Sequence, residues 1–262
     1  MNILVCIKQV PASNKVEVDP VTGVLKRNGV ESKMNPYDLY AIETALRIKE
    51  KSGGSITALS MGPNQAVGVL REAFAIGVDH GVLISDRKFG GADVLATSYT
   101  ISQGIKKSGT FDLILCGKQT TDGDTAQVGP ETAELLGIPS LSNISRIVEL
   151  KADSMVVEMD MTHDVEVAEI HYPCLIAVDK DIFMPRLPSY VKKQETKTRE
   201  IRVITLADLE DRDEKHYGLN GSPTQVQRIF PPQANNHREV WNGDGSELTA
   251  RLLNKLKELK FA

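Results

Sequence analysis

The chain is poor in aromatic residues, which make up 5% of it and include a single tryptophan. A platform for stacking nucleic-acid bases needs more. It also lacks an excess of positive charge: 31 Lys and Arg stand against 35 Asp and Glu, for a formal net charge of −4. No nucleic-acid binding is expected, because that function leaves a basic surface. No apolar stretch approaches the roughly 18 residues of a spanning helix, so no membrane insertion is expected. Cysteine is scarce. Cys6, Cys116 and Cys174 lie within or at the ends of apolar runs, with no CxxC and no Cys/His ligand spacing. They read as buried free thiols. An odd count without a signal peptide fits a reducing, cytoplasmic setting. His80, His163 and His171 stand isolated, with no nucleophile beside them.

What is present is a repeating order of short apolar runs and helical patterns. The 262 residues suffice for one large domain, or for a core with an appendage. Residues 2–10, NILVCIKQV, read as a central strand buried on both faces, with Lys8 and Gln9 at its polar end. Within 15–30, segments 16–19 and 24–26 could pair around a Pro20–Gly23 turn as a small hairpin or flap. Asn35 then fits as the N-cap of a helix with Pro36 in first position, and Asp38 stands where a carboxylate folds back on the exposed amides. Gly53 and Gly54 end that helix. A strand over 55–61, a helix over 64–76, a strand over 81–85, a helix over 92–107 and a strand over 111–116 follow. This alternation predicts an α/β fold: a parallel twisted sheet with helices on both faces. Runs 145–150, 155–159 and 165–170 add a small antiparallel part, and 173–178 returns to the main sheet.

Residues 1–184 are expected to form this nucleotide-binding α/β domain. Residues 185–262 read as a loop, an extended polar arm and a terminal amphipathic helix over 245–261. They carry one strand at 201–204 and a short helix at 205–209. An arm of this kind has little core of its own and is expected to pack on a partner protein.

The polar turn between the strand ending at Cys116 and the next helix carries the chemistry. In GKQTTDGDTAQVGP, residues 117–130, three glycines allow tight or left-handed backbone. Successive amides ahead of a helix start can hold phosphate oxygens. Thr120, Thr121 and Thr125 offer hydroxyls, and Gln127 offers an amide. The pattern is neither a P-loop nor GxGxxG. Asp122 and Asp124 would repel phosphate unless braced by donors, and no third carboxylate stands at a spacing that would make a magnesium site. The turn reads as a nucleotide site without a catalytic side chain.

ILVCIKQVP, SKMNPYDLYAIETALRIKE, ITALSMGP, the RxAxxxGxD spacing from Arg71 to Asp79, and FDLILCGKQTTDGDTAQVGP together resemble the beta (small) subunit of electron transfer flavoprotein. The likeness runs to about residue 205, and continues in general shape along the arm. It implies an adenine-nucleotide-hydrolase-like, Rossmann-like fold whose extended C-terminal arm wraps a larger alpha subunit. It implies nucleotide contacts at Cys6, at Asn35, Pro36, Tyr37 and Asp38, and at Met61. Along the turn it implies Gly117, Lys118, Gln119, Thr120, Thr121, Asp122, Gly123, Asp124, Thr125, Ala126, Gln127 and Val128. Ordinary members hold a structural AMP there. Electron-bifurcating members hold FAD, take hydride from NADH, and serve a low-potential acceptor such as ferredoxin or flavodoxin. The run Asp122–Gly123–Asp124–Thr125–Ala126–Gln127 resembles the bifurcating type, with Gly123 and Ala126 clearing space and Thr125 adding a donor. In the recognition loop PRLPSYVKKQETKTRE, Tyr190 stands where the family has leucine, and Gln194 and Glu195 interrupt the basic run. The expected partner is a flavin-dependent dehydrogenase of the 2-hydroxy-acid or acyl/enoyl-CoA type, and the changed docking run disfavours a standard acyl-CoA dehydrogenase among them.

Overall fold

The computed structural model describes residues 1–12, 32–227 and 238–261. These fall into two units, one holding the described residues up to Gln227 and the other residues 238–261. The expected hairpin at 16–26 lies outside the described residues.

The first unit is built on a nine-stranded sheet. Its strands are β1 (Asn2–Cys6), β4 (Ser55–Met61), β5 (His80–Ile84), β6 (Leu113–Gly117), β7 (Ser140–Leu150), β8 (Ser154–Asp160), β9 (Val165–His171), β10 (Cys174–Val178) and β11 (Arg202–Ile204). Their spatial order is β11-β5-β4-β1-β6-β10-β7-β8-β9. The strands from β11 to β7 run parallel, and β8 and β9 are antiparallel additions at one end. A separate two-stranded antiparallel ribbon pairs β2 (Gln9–Pro11) with β3 (Ser32–Met34).

Helices cover both faces of the parallel part. On one side lie α1 (Pro36–Ser52) and α2 (Val67–Ile76), whose Ile42, Leu70 and Phe74 pack with Ile3, Val5 and Ile56. On the other lie α3 (Val94–Ser108) and α4 (Val128–Leu136), whose Ile101, Ile105 and Ala133 pack with Leu4, Leu59 and Ile114. Central strands that bury both faces read as continuous apolar runs, which is how β1, β6 and β10 appear in the sequence. Glycines 53, 77, 109 and 137 stop the four helices, each with positive φ.

Two local differences from the sequence reading have simple causes. Residues 64–66 form a 3-10 turn ahead of α2. The expected short helix at 205–209 is a 3-10 turn over Leu206–Asp208, fixed by a Thr205/Asp208 capping box. A short α5 (Tyr190–Glu195), capped by Ser189, was not anticipated from the polar texture of that region.

In the second unit, α6 (Gly245–Glu258) begins at Asp244, whose carboxylate accepts from the Ser246 and Glu247 amides. None of its residues is buried, and Leu252, Leu253 and Leu259 are about half exposed.

Candidate nucleotide site

The chain moves outward from β1 through β4 and β5, then returns past β1 to β6. The strand order therefore reverses between β1 and β6, and the crevice beyond their carboxyl ends is where open α/β sheets take ligands. Cys6 and Cys116 face each other in register at this point. Cys6 and Met61, at the ends of β1 and β4, are half-buried on the α3/α4 side. The hydrogen bond with the neighbouring Cys6, and then burial, push the Cys116 thiol well up, so it is no ready nucleophile.

The start of α1 reaches the same place from the other face. Asn35 occupies the N-cap position, but its side chain caps nothing, which corrects the expectation from sequence. Pro36 offers no N–H, and the Asp38 N–H is already taken by the Asn35 carbonyl at 3.0 Å. The carboxamide is free to reach across instead. Its Nδ2 donates to the Gln119 carbonyl at 2.9 Å and to Asp38 Oδ1 at 2.8 Å, while its Oδ1 accepts from the Thr121 N–H at 3.2 Å. Asp38 does not fold back on the helix amides either. Its Oδ2 accepts from the Lys8 N–H at 2.6 Å. Burial pushes the Asp38 carboxyl up to about 7, against the hydrogen bonds from Asn35 and Lys8 that favour its charged form.

Gly117 makes this approach possible. A Cβ there would lie 2.7 Å from Asp38 Oδ1 and from backbone and side-chain carbons of Tyr37. Beyond it, the Thr120 carbonyl accepts from the Asp124 N–H at 3.0 Å, closing a single α-turn. Both Asp122 oxygens accept from Lys8 Nζ at 2.8 Å. Although burial raises Asp122, this lysine holds its carboxyl below the usual range. Asp124 accepts from Gln119 Nε2. Both carboxylates thus brace the turn. Lys118 points its Nζ to Asp179, 2.8 Å away at the end of β10.

The left-handed positions are not the glycines. They are Asp124, with φ 56°, and Ala126, with φ 55°. Left-handed non-glycine residues are uncommon and often mark a functional turn. Along the same stretch, the N–H groups of Thr125, Ala126 and Gln127 find no acceptor among the described residues. Gln127 precedes α4, and residues 121–127 are exposed. The result is a short row of open donors leading into a helix N-terminus. Such a row suits an anion.

Sequence reasoning brought Asn35, Asp38 and the turn together only through the family likeness. It missed Lys8 as the clamp on Asp122, because that contact joins residues 114 apart. The one local hint was a lysine at the ligand-facing end of a central strand. Among the described residues, no group of three His, Cys, Asp or Glu side chains is placed to hold a metal, and no helix is long and apolar enough to cross a membrane.

Comparison with known proteins decides the family. A model described as the electron transfer flavoprotein domain matches residues 22–209. The electron transfer flavoprotein subunit beta of Thermoanaerobacterium thermosaccharolyticum is 43% identical over 263 aligned positions, covering 98% of each chain. The chain belongs to the electron transfer flavoprotein beta subunit family. Another member of similar likeness is the caffeyl-CoA reductase–Etf complex subunit CarD of Acetobacterium woodii, 42% identical over 98% of each chain. The protein FixA of Azorhizobium caulinodans is 41% identical over 89% of this chain and 85% of its own. Membership gives this beta subunit a redox-carrier role associated with flavin, and it accounts for a turn that has donors but no catalytic side chain.

Proposed function

We propose that this chain is the FAD-holding beta subunit of an electron-bifurcating electron transfer flavoprotein. The observation that carries the reading is the turn itself. Three open N–H donors lie beside small, exposed Gly123 and Ala126, and lead into α4 at the reversal point of the sheet. A diphosphate suits the donors, and a bulky isoalloxazine needs the cleared space. The candidate contacts are Cys6, residues 35–38, Met61 and residues 117–128. Within them, the Thr125–Gln127 amides and the Thr125 hydroxyl would hold phosphate, while Cys6 and Met61 would flank the adenine or ribose.

A flavin held by these residues would supply the redox chemistry, hydride acceptance from NADH and single-electron delivery to the alpha-subunit FAD and to a low-potential acceptor such as ferredoxin or flavodoxin. The chain's own residues bind, orient and exclude water, and none needs to move a proton. Residues 1–184 would serve as the nucleotide-binding domain. Residues 185–262 would engage partners, and the exposed leucines of α6 suit a surface covered by the alpha subunit.

A dehydrogenase would dock at the loop before α5 and the first turn of that helix. Met184, Leu187, Tyr190 and Val191 are 85, 88, 75 and 63% exposed there, an apolar display that a partner would cover. The likeness to a subunit of a caffeyl-CoA reductase complex favours a flavoenzyme of the CoA-ester-reducing kind, with a 2-hydroxy-acid dehydrogenase as the competing class.

Anaerobic titration of the co-purified heterodimer with NADH tests the reading. Bleaching of flavin absorbance by stoichiometric NADH is expected. A flavin spectrum unchanged by NADH would overturn the bifurcating assignment and leave a carrier with structural AMP.

A further inference from the structure

We propose that Asp38 is a positioning residue for the nucleotide turn: it orients the Asn35 carboxamide that pins Gln119 and Thr121, and so sets how firmly the turn holds its ligand. The inference rests on the nucleotide-site reading above, but it concerns a side chain whose two oxygens are each engaged by a protein donor. Asp38 is 4% exposed and Asn35 is fully buried.

The geometry requires a carboxylate. Two donors converge on Asp38, the Lys8 N–H on Oδ2 and the Asn35 Nδ2 on Oδ1. An ionised carboxylate accepts both. A neutral amide or acid at this position offers one good acceptor and turns an N–H or O–H toward the other donor. With Asp38 ionised, the Asn35 amide is locked with Nδ2 inward. Its remaining proton then faces the Gln119 carbonyl, and its Oδ1 faces the Thr121 N–H. A flipped amide would lose both bonds to the turn. Lys8 ties the second link to the first, since its N–H holds Asp38 while its Nζ holds Asp122 on the far side of the same turn.

The groups whose charge bears on Asp38 are Lys8 from the link between β1 and β2 and Asp122 from the turn, and Cys116 from β6 feels Asp38 in return. Of these, Asp122 is held low and Cys116 high, so neither changes charge near neutrality. Asp38 itself, pushed up to about 7 by burial, does change there. Ionisation above that point tightens the clamp, and protonation below it loosens the turn.

The test is FAD release from the heterodimer, followed by flavin fluorescence between pH 5.5 and 9, in wild type, Asp38→Asn and Asn35→Ala. Wild-type release should quicken about tenfold as pH falls through 7, the effect of losing one charge-assisted hydrogen bond. Both variants should release fast at every pH, with no step near 7. A structural role alone would not remove the pH step. Hydrogen exchange at the Thr121 amide gives a readout free of nucleotide. At pH 8.5 it should quicken about tenfold in Asp38→Asn while the β1 and β6 amides stay protected. Wild-type exchange at Thr121 in that variant, or a surviving pH step in either one, would overturn the proposal. A heterodimer with no nucleotide on this subunit would instead refute the nucleotide-site reading, and the exchange result would still decide the role of Asp38.

Discussion

At the scale of single residues, Gly117, Gly123 and Ala126 look alike in sequence and do different work. Gly117 is a steric requirement, because a Cβ would collide with Tyr37 and Asp38. Gly123 is not: a Cβ there would meet only Thr120 Oγ1, at an ordinary 3.5 Å, and its φ is not left-handed. Ala126 holds a left-handed conformation that asparagine adopts more readily than alanine. Gly123→Asp with Ala126→Asn should therefore leave the fold within about 0.5 kcal/mol of wild type in urea melts. FAD retention should fall at least ~tenfold, by about 1.4 kcal/mol, while AMP binding changes far less. Equal loss of both nucleotides would contradict the view that these side chains clear space for flavin. The glycines were visible in the sequence, but which of them the backbone needs was not. That depends on how closely Tyr37 approaches, a contact between residues 80 positions apart in the chain.

At the scale of elements, the segment bearing the exposed Leu187 and Tyr190 is anchored by an ion pair. Arg186 forks onto Glu43 of α1 at 2.8 and 3.0 Å and also reaches Glu50. Glu43 is 1% exposed. Burial would raise its carboxyl, but hydrogen bonds from Arg186 and Arg47 bring it below its ordinary value. Removing one partner strands a buried charge, so Arg186→Ala should cost about 2 kcal/mol near neutral pH, less than a fully buried pair because Arg47 remains. Since the folded protein holds Glu43 ionised more readily than the unfolded chain does, this stabilisation is present above the ordinary Glu range. It is lost as pH falls through the folded value, which lies below the ordinary Glu range, and the gap between variant and wild type should close only below that value. Urea melts at pH 7 and in steps down through the acid range measure it. The elements themselves were largely legible. β4 was read to the residue, and the glycine stop of α1 fell where φ turns positive. The beginning of β7 was hidden because Ser140, Ser142 and Asn143 are polar, and it is a strand only because β10 lies beside it. β11 was read as a strand of the arm, but nothing local says that it joins the sheet edge at β5.

At the scale of the whole molecule, the order of the strands reverses between β1 and β6, and the turn leading into α4 lies at that reversal. Asn35, at the start of α1, reaches the same turn through Gln119 and Thr121. Crevices of this kind are where open α/β sheets take ligands, and the proposed function rests on that placement. The family likeness in sequence carried the functional reading, since periodicity alone gives an α/β sheet and many α/β sheets do other work. What neither periodicity nor likeness supplied is the side-chain network of Lys8, Asn35, Asp38 and Asp122 that shapes the turn. The central claim, that this turn holds a working flavin, is tested most directly by denaturing the purified heterodimer and separating and counting the released nucleotides. Two FAD per heterodimer and no AMP is the predicted result, and one FAD with one AMP would contradict it.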